Sequence, residues 1–283
     1  MKKIISLLFV ICCMLGLASC GGAGDKVKII DIKLTEEQYA YVVKQGNTEL
    51  AEDFNKFLDE IKENGTFDEI VAKYFEGTGT KKGISYVTDA NATNDDKTFV
   101  VATNCPFEPF EYVGTDGLMY GIDIEIAQAY AEAKGLALVV KNIDFDAIFT
   151  NVDSGYADMG MAGITVNAER EALYDFTNAY YEASQKLVVA ADNTDFDNCK
   201  TAADVEAVLA GLTGKKVGYQ IGTTGNWYVA GDADWGFDGF ANIEAKGYKT
   251  AQLAIQDIAN GQIYGVVVDE APAAAMVKAT NNA

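Results

Sequence analysis

Histidine is missing from all 283 residues of the sequence. Its absence excludes catalytic triads with an imidazole base and zinc sites of the H-E-x-x-H type, and we expect neither a cofactor nor a metal. Basic residues are also scarce, because 22 Lys and Arg stand against 42 Asp and Glu and leave a net charge of −20. Nucleic acid attracts proteins through basic surfaces, so we do not expect a chain of this charge to bind it.

Cysteine is sparse as well, and its spacing matches no functional motif. Of the five cysteines, Cys12, Cys13 and Cys20 lie close to the N-terminus, and Cys105 and Cys199 remain for the body of the protein. No C-x-x-C pair is present, which excludes a typical zinc site or dithiol redox motif. We treat Cys105 and Cys199 as free thiols, with a disulfide between them as the alternative.

The first residues have the pattern of an export signal. Two lysines precede an apolar run over residues 4–17, which is too short for a permanent membrane helix but typical of a signal-peptide core. The run leads into Leu-Ala-Ser-Cys, with Cys20 in the last place, and this resembles a bacterial lipobox. We therefore predict a signal peptide at residues 1–19, a lipidated Cys20 and a tether over residues 20–25. An ordinary signal peptide with a chance cysteine is the alternative.

Strand and helix patterns alternate along the body of the chain. A short apolar run at residues 99–102 predicts a buried strand, the stretch 216–221 predicts a strand of the second set, and the stretch 122–133 predicts a helix. Two successive sets of such elements indicate an α/β fold with two lobes, each a mainly parallel sheet flanked by helices. Residues 78–97 are rich in Gly, Thr, Asn and Asp and are predicted to be a linker.

Three predicted strand ends carry groups suited to a zwitterion, a ligand with one positive and one negative charge. Residues 161–170 offer backbone N–H groups, the Thr165 hydroxyl and the Arg170 guanidinium, which can bind a carboxylate through two parallel hydrogen bonds. Residues 220–225 form a glycine-rich turn with two threonines, where the backbone can approach a ligand closely. Asp269 ends an apolar strand and is placed to accept an ammonium group.

Two phenylalanines are candidates for the walls of the same site. Phe107 lies in a loop between two prolines, directly after the first strand of its lobe, and Phe145 precedes a helix. Packing in the hydrophobic core is the alternative for each of them.

Taken together, these stretches resemble family 3 of the extracellular solute-binding proteins, the amino-acid-binding proteins of ABC importers. That family has the type II periplasmic-binding-protein fold. The resemblance is carried by residues 104–112, 121–125, 163–170, 175–181, 222–224 and 268–269. It implies that the ligand-binding residues are Asn104, Phe107, Phe145, Ala162, Gly163, Thr165, Arg170, Thr223, Thr224 and Asp269.

The resemblance also implies a role for most of these residues. In the family the arginine, the threonine of the same loop and the Gly-Thr turn hold the α-carboxylate, while the aspartate holds the α-ammonium and aromatic rings enclose the side chain. Members selective for basic amino acids often have an acid at the position of Asn104. The neutral amide of Asn104, without a spare Arg or Lys for an acidic side chain, predicts a neutral amino acid as the ligand.

The order of the segments departs from the family. Relatives end with a stretch that resembles residues 28–77, but here this stretch comes first. The sequence therefore predicts a circular permutation in which the linker joins the former ends, which is tolerable because domain termini are often close together. Lobe 1 is expected at residues 38–187, and lobe 2 at residues 26–37 and 188–283. An additional N-terminal helical module is the alternative.

The resemblance implies a lipid-anchored binding protein without enzymatic activity on the outer face of the bacterial cytoplasmic membrane, extracellular or periplasmic. Its expected partners are a free amino acid, the permease of an ABC importer and, through lipidated Cys20, the membrane. One alternative is an enzyme similar to cyclohexadienyl dehydratase, for which Glu108 or Glu270 is the candidate acid or base. The other alternative is a ligand-sensing receptor module.

Overall fold

A computed structural model describes residues 24–88 and 97–283 of the protein. The predicted signal peptide, Cys20 with the start of the tether, and residues 89–96 of the predicted linker lie outside the described residues. In the described part of the chain, no helix is long and apolar enough to cross a membrane. Cys105 and Cys199 are free thiols, as expected.

Strands and helices alternate through most of the described chain. The strands are β1 (Val27–Ile30), β2 (Glu37–Tyr39), β3 (Val42–Lys44), β4 (Tyr86–Val87), β5 (Thr98–Thr103), β6 (Tyr112–Val113), β7 (Met119–Tyr120), β8 (Ala137–Asn142), β9 (Met159–Gly160), β10 (Tyr174–Phe176), β11 (Tyr181–Ala183), β12 (Gln185–Ala190), β13 (Lys216–Gln220), β14 (Glu244–Tyr248) and β15 (Gly265–Asp269). The helices are α1 (Thr48–Glu63), α2 (Thr66–Phe75), α3 (Ile122–Lys134), α4 (Phe145–Asp153), α5 (Ala168–Leu173), α6 (Ala202–Gly211), α7 (Thr224–Ala230), α8 (Ala251–Ala259) and α9 (Glu270–Asn282).

Two sheets form the centres of two lobes. The six-stranded sheet has the order β10-β3-β9-β5-β8-β4, and the five-stranded sheet has the order β1-β12-β15-β13-β14. Each sheet has a parallel part, which helical crossovers require, and an antiparallel part at one side. The predicted two-lobed α/β fold is confirmed. The sheets are mixed, and their antiparallel pairs involve β3 and β10 in one sheet and β1 and β12 in the other. These four strands are the ones next to the points where the chain passes between the lobes.

A two-stranded ribbon connects the two sheets. β2 pairs antiparallel with β11, and neither strand belongs to either large sheet. β2 lies between β1 of the five-stranded sheet and β3 of the six-stranded sheet, while β11 leads from β10 back to β12. Tyr39 in this ribbon is completely buried and packs against the ring of Tyr181. The expected lobe boundaries near these crossings stay a prediction.

The N-terminal segment is an integral part of both lobes. β1 forms the edge of the five-stranded sheet, and β3 lies inside the six-stranded sheet. Phe54 and Leu58 of α1 are completely buried and share a hydrophobic core with Phe99 of β5. The alternative of a separate N-terminal helical module is therefore wrong.

Part of the predicted linker belongs to the six-stranded sheet. Tyr86 and Val87 form β4, which pairs parallel with β8, and Ile84 forms a bridge with Met119. Residues 84–87 include the apolar residues of an otherwise polar stretch, and apolar side chains can pack against the sheet.

Candidate functional site

The ten residues predicted to bind a ligand surround one small cavity with a free volume of about 20 Å³. A single water molecule needs roughly 10–15 Å³ by this measure, so the lining residues lie close together in this structure. The cavity is lined by all ten, which are Asn104, Phe107, Phe145, Ala162, Gly163, Thr165, Arg170, Thr223, Thr224 and Asp269, and also by Glu111 and Gln220. Their role in binding a ligand stays a prediction.

The topology explains why residues so distant in sequence meet. Asn104 and Phe107 follow β5, and the loop of residues 161–167 follows β9, in the six-stranded sheet. Gln220 and Asp269 end β13 and β15 in the five-stranded sheet. Carboxyl ends of parallel strands lie at one edge of a sheet, and here the two edges face each other across the cavity.

Arg170 is the buried cation of the site. Its guanidinium donates to the carbonyl oxygens of Thr165 at 2.6 Å and Gly222 at 3.0 Å, which lie on opposite sides of the cavity. Four aromatic rings surround it at centroid distances of 4.9–5.6 Å, those of Phe145, Phe149, Trp227 and Trp235. Burial lowers the pKa of the guanidinium to about 10, so Arg170 is charged at neutral pH. A guanidinium has five N–H groups, and those not bonded to carbonyls remain for a ligand carboxylate.

Asp269 faces Arg170 from the other sheet. The Tyr39 hydroxyl donates to its Oδ1 at 2.6 Å and the Gln185 amide at 2.9 Å, so Oδ2 is the oxygen suited to a ligand cation. Burial, followed by the charge of Glu37, raises the pKa of Asp269 to about 7. A cation beside this carboxylate would stabilise its charged form.

Glu37 organises the hydroxyls of the site, and sequence reasoning missed it. Its Oε2 accepts hydrogen bonds from Thr165 at 2.7 Å and Thr224 at 2.8 Å. Its Oε1 accepts hydrogen bonds from Thr35 at 2.5 Å and Gln185 at 3.0 Å. A hydroxyl has a single proton to donate, so in this arrangement the two threonines of the cavity wall donate to Glu37 and not to a ligand. Glu37 lies in the stretch over residues 28–77 that resembles the end of the relatives, but the sequence analysis gave it no role in the site.

Asn104 and Gln220 form an amide pair across the cavity. The Asn104 side chain donates to the carbonyl oxygen of Ile143 at 2.6 Å and accepts a hydrogen bond from Gln220 at 2.8 Å. Gln220 in turn accepts a bond from the Ala251 backbone at 3.3 Å. These bonds hold the amide of Asn104, which suggested a neutral ligand, in a fixed orientation.

Glu111 is the second carboxyl group that sequence reasoning missed. It is completely buried, lines the cavity, and has no hydrogen-bond partner at either carboxyl oxygen within the described residues. Burial, followed by Asp123 and Asp269, raises the pKa of Glu111 well above its usual range. Glu111 and Gln220 belong to stretches that the sequence analysis singled out, but which side chain faces a cavity depends on the backbone path.

Phe107 covers the loop that leads to Arg170. Gly163 has a positive φ of 53°, and a Cβ atom there would lie 2.6 Å from the Phe107 ring. Real Cβ atoms do not approach other atoms so closely, so glycine is required where the ring packs on this turn.

The acids proposed for an enzyme lie elsewhere. Neither Glu108 nor Glu270 lines the cavity. Glu270 accepts a hydrogen bond from Ser184 at 2.9 Å and forms a salt bridge with Lys186 at 3.1 Å. Among the described residues, no cluster of three or more potential metal ligands occurs.

A protein-family model matches most of the chain. The model describes bacterial extracellular solute-binding proteins, family 3, and it matches residues 8–77 and 99–280.

Curated relatives share more than a quarter of the aligned residues. The chain is 29% identical over 189 residues to a probable histidine-binding protein of Neisseria gonorrhoeae, covering 67% of this chain and 65% of that protein. It is 28% identical over 192 residues to the L-cystine-binding protein TcyJ of Escherichia coli strain K12, covering 68% of this chain and 66% of that protein. The chain thus spans a little less than two thirds of the length of these relatives.

Solved structures of arginine-binding proteins are also similar. An ancestral arginine-binding protein bound to arginine has 34% identity and a TM-score of 0.56, with 66% of this chain and 76% of that chain covered. The arginine-bound, truncated ArgBP from T. maritima has 28% identity and a TM-score of 0.56, with 65% and 78% covered.

Asp269→Asn should raise the melting temperature of the ligand-free protein more at about pH 8 than at about pH 5. The pKa of Asp269 is about 7 in the folded protein, against about 3.9 in an unfolded chain. The wild-type protein therefore loses stability as the pH rises between these values. Asparagine keeps an oxygen for Tyr39 and Gln185 but does not ionise. Thermal denaturation measures the gain, at about 2–4 °C for each kcal/mol.

Asp59→Asn is the matched control, because Asp59 is exposed on α1 and its substitution should give no pH-dependent difference. A gain from Asp269→Asn that is equal at both pH values would show that burial does not suppress the ionisation of this carboxyl group.

Proposed function

The chain belongs to the bacterial extracellular solute-binding proteins of family 3, and on this premise we propose that it captures an amino acid between its two lobes for uptake by an ABC importer. The observation that carries the proposal is the pair of opposite buried charges in one small cavity. Arg170 on α5 and Asp269 at the end of β15 line the same cavity from the two lobes. An α-amino acid presents a carboxylate and an ammonium group on one carbon, which matches this pair.

Binding is proposed to close the lobes on a hinge. The ribbon of β2 and β11 is the connection that can bend, because it lies outside both sheets. Contacts across the cavity hold the lobes together, such as Arg170 to Gly222 at 3.0 Å and Gln220 to Asn104 at 2.8 Å. A ligand that contacts both lobes stabilises the closed state by its differential affinity for that state.

We also propose that the protein works outside the cytoplasm on a lipid anchor. The family is extracellular by its description. The apolar run over residues 4–17 and the Leu-Ala-Ser-Cys stretch ending in Cys20 supply an export signal and an acceptor for lipid. The expected partners are a free amino acid, the importer's permease and the membrane.

The side-chain class of the ligand depends on the polar groups at the Asn104 side of the cavity. Asn104 favours a neutral amino acid, as the sequence predicted. Its amide is bonded to Ile143 and Gln220, however, and Glu111 adds a carboxyl group to the same cavity.

Circular permutation is proposed from the order of the segments and the proximity of the ends. The backbone N–H groups of Lys26 and Val27 donate to the side chain of Asn281 at 2.9 and 3.0 Å. The Asn281 amide returns a bond to Val27 at 3.0 Å. Residue 281 therefore lies next to the start of β1. In relatives without the permutation, the chain would run directly from the segment that ends here into the segment that begins with β1. The two segments that match the family model also leave out residues 78–98, the region of the linker.

Amino acids should raise the melting temperature of the soluble protein, which begins after residue 20. A ligand that binds the folded state alone stabilises it by mass action, so millimolar additions of individual amino acids should separate binders from the rest. Arg170→Ala and Asp269→Ala should each weaken binding of the best ligand by about 2–5 kcal/mol, measured by calorimetry.

Glu171→Ala is the control for these substitutions, because Glu171 is exposed on the short helix that carries Arg170. If no amino acid shifts the melting temperature, the proposed function is wrong. If the Arg170 and Asp269 variants bind as tightly as the wild-type protein, the site lies elsewhere.

A rearranged chain should fold and bind the same ligand. The rearrangement cuts the chain between Gly77 and Thr78 and joins Ala283 to Lys26 through a short Gly/Ser linker. Asn281 and Lys26 are already in contact, so the junction closes a small gap. We expect a melting temperature within a few degrees of the original, measured by circular dichroism.

A second rearranged chain, with the same junction but a cut between Leu58 and Asp59, interrupts α1 and should not fold. Failure of both rearranged chains would speak against the permutation.

Cys20→Ser should release the protein from the membrane fraction of the bacterial host. Without the thiol no lipid can be attached, and the exported protein should appear in the soluble fraction. Fractionation followed by immunoblotting measures the shift, with Cys199→Ser as the control that should stay membrane-bound. Retention of the Cys20 variant in the membrane fraction would contradict the lipid anchor.

A further inference from the structure

Two stacked tryptophans lie beside Arg170. Trp227 is on α7 and Trp235 is in the loop of residues 231–240, and the sequence contains no other tryptophan. The rings of this tryptophan pair stack at a centroid distance of 3.4 Å and an angle of 12°. The Arg170 Cζ atom lies 5.3 Å from the first centroid and 5.2 Å from the second. Since these distances are equal, the guanidinium lies at the side of the stack and not over one face.

Backbone hydrogen bonds give the loop that carries Trp235 a defined turn. The Asp232 N–H donates to the carbonyl of Phe237 at 2.8 Å, and the Phe237 N–H donates to the carbonyl of Asp232 at 3.0 Å. The Trp235 N–H donates to the same Asp232 carbonyl at 3.2 Å. The Phe237 ring packs on Tyr228 of α7 at a centroid distance of 5.6 Å. The turn therefore returns the Trp235 ring to α7, where it meets Trp227.

The tryptophan pair separates Arg170 from solvent. Arg170 is only 6% exposed, although it carries a charge at neutral pH. Trp227 and Trp235 are each half-buried. Trp235 also lines a groove that is open to solvent, together with the exposed residues Glu36 and Gln38. One side of the pair thus faces the guanidinium and another side faces water.

The contact between Arg170 and the tryptophan pair joins the two lobes. Arg170 lies on α5, which follows β9 of the six-stranded sheet, whereas both tryptophans lie between β13 and β14 of the five-stranded sheet. The pair can therefore meet the guanidinium only when the lobes are closed. Opposite charges attract each other more strongly where water is excluded, because the effective dielectric constant is lower there. The pair thus strengthens a bond between Arg170 and a carboxylate in the closed state.

We propose that Trp235 is a positioning residue which, together with Trp227, shields Arg170 from water and so sets how tightly Arg170 binds the carboxylate of a ligand. The inference rests on the proposed amino-acid binding. It goes beyond the groups that surround the ligand, because neither tryptophan lines the cavity.

Calorimetry at two salt concentrations tests the shielding of Arg170. The probe is the amino acid that raises the melting temperature most in the screen of individual amino acids. Trp235→Ala should bind it about 10-fold more weakly than the wild-type protein at low salt, the loss expected for one aromatic contact. Salt screens an exposed charge pair far more than a buried one, so between about 50 and 500 mM NaCl this variant should lose at least about threefold more affinity than the wild-type protein.

Trp235→Phe should recover most of the affinity and the salt dependence of the wild-type protein, because it keeps a ring that can stack on Trp227. Leu253→Ala is the matched control, since Leu253 is an exposed apolar residue on α8 that lies outside the cavity, and it should change neither quantity. Unchanged affinity of Trp235→Ala would overturn the proposal. Weaker binding with the salt dependence of the wild-type protein would overturn the shielding of Arg170 as well, since it would show a loss of packing alone.

Acrylamide quenching of tryptophan fluorescence tests the same contact in the wild-type protein and decides if Trp235→Ala does not fold. Closure packs the tryptophan pair against Arg170, so the quenching constant should fall when the same amino acid saturates the protein. An unchanged quenching constant would overturn the proposal. Absence of binding by any amino acid would overturn the proposed function and this inference with it, whereas binding that does not depend on Trp235 overturns the inference alone.

Discussion

The carboxylate of Glu37, on the ribbon of β2 and β11, is the point at which segments of both lobes meet. It accepts hydrogen bonds from Thr165 on the six-stranded side and from Thr224 on the five-stranded side. It also accepts bonds from Thr35 and from Gln185 at the start of β12. Charge-assisted hydrogen bonds are the stronger kind, and four of them on one group fix the relative position of the segments that contribute them. The same hydrogen bonds therefore also align the segments that carry Arg170 and Asp269.

This arrangement concentrates negative charge beside the cavity. Burial, followed by the charge of Glu37, raises the pKa of Asp269, and burial, followed by Asp123, raises the pKa of Glu111. An acidic, poorly solvated site is unfavourable in the empty protein, because ionising a buried carboxyl group without a cation nearby is costly. These buried carboxyl groups therefore lower the stability of the empty protein as the pH rises through their titration.

Several elements of the fold could be predicted because their signal is local. The apolar run of β5 and the helical spacing of the apolar residues Phe54, Phe57, Leu58 and Ile61 in α1 each follow from a short stretch of sequence. The ribbon of β2 and β11 could not be predicted, since three-residue strands with a mixed pattern resemble loops. β4 was hidden in the predicted linker for the same reason. Its two residues pair only because β8 offers an open edge.

The sequence by itself determined the residue types of the site and the chemistry that they exclude. It contains no histidine, it places Arg170, Thr224 and Asp269 after strand patterns, and its motifs indicate the family. Only the tertiary structure decided that the ten predicted residues share one cavity with Glu111, and that Glu37 accepts hydrogen bonds from two of them. Hydrogen-bond partners and pKa shifts depend on distances between segments that are far apart in the chain. Those distances arise only when the two sheets bring their strand ends face to face.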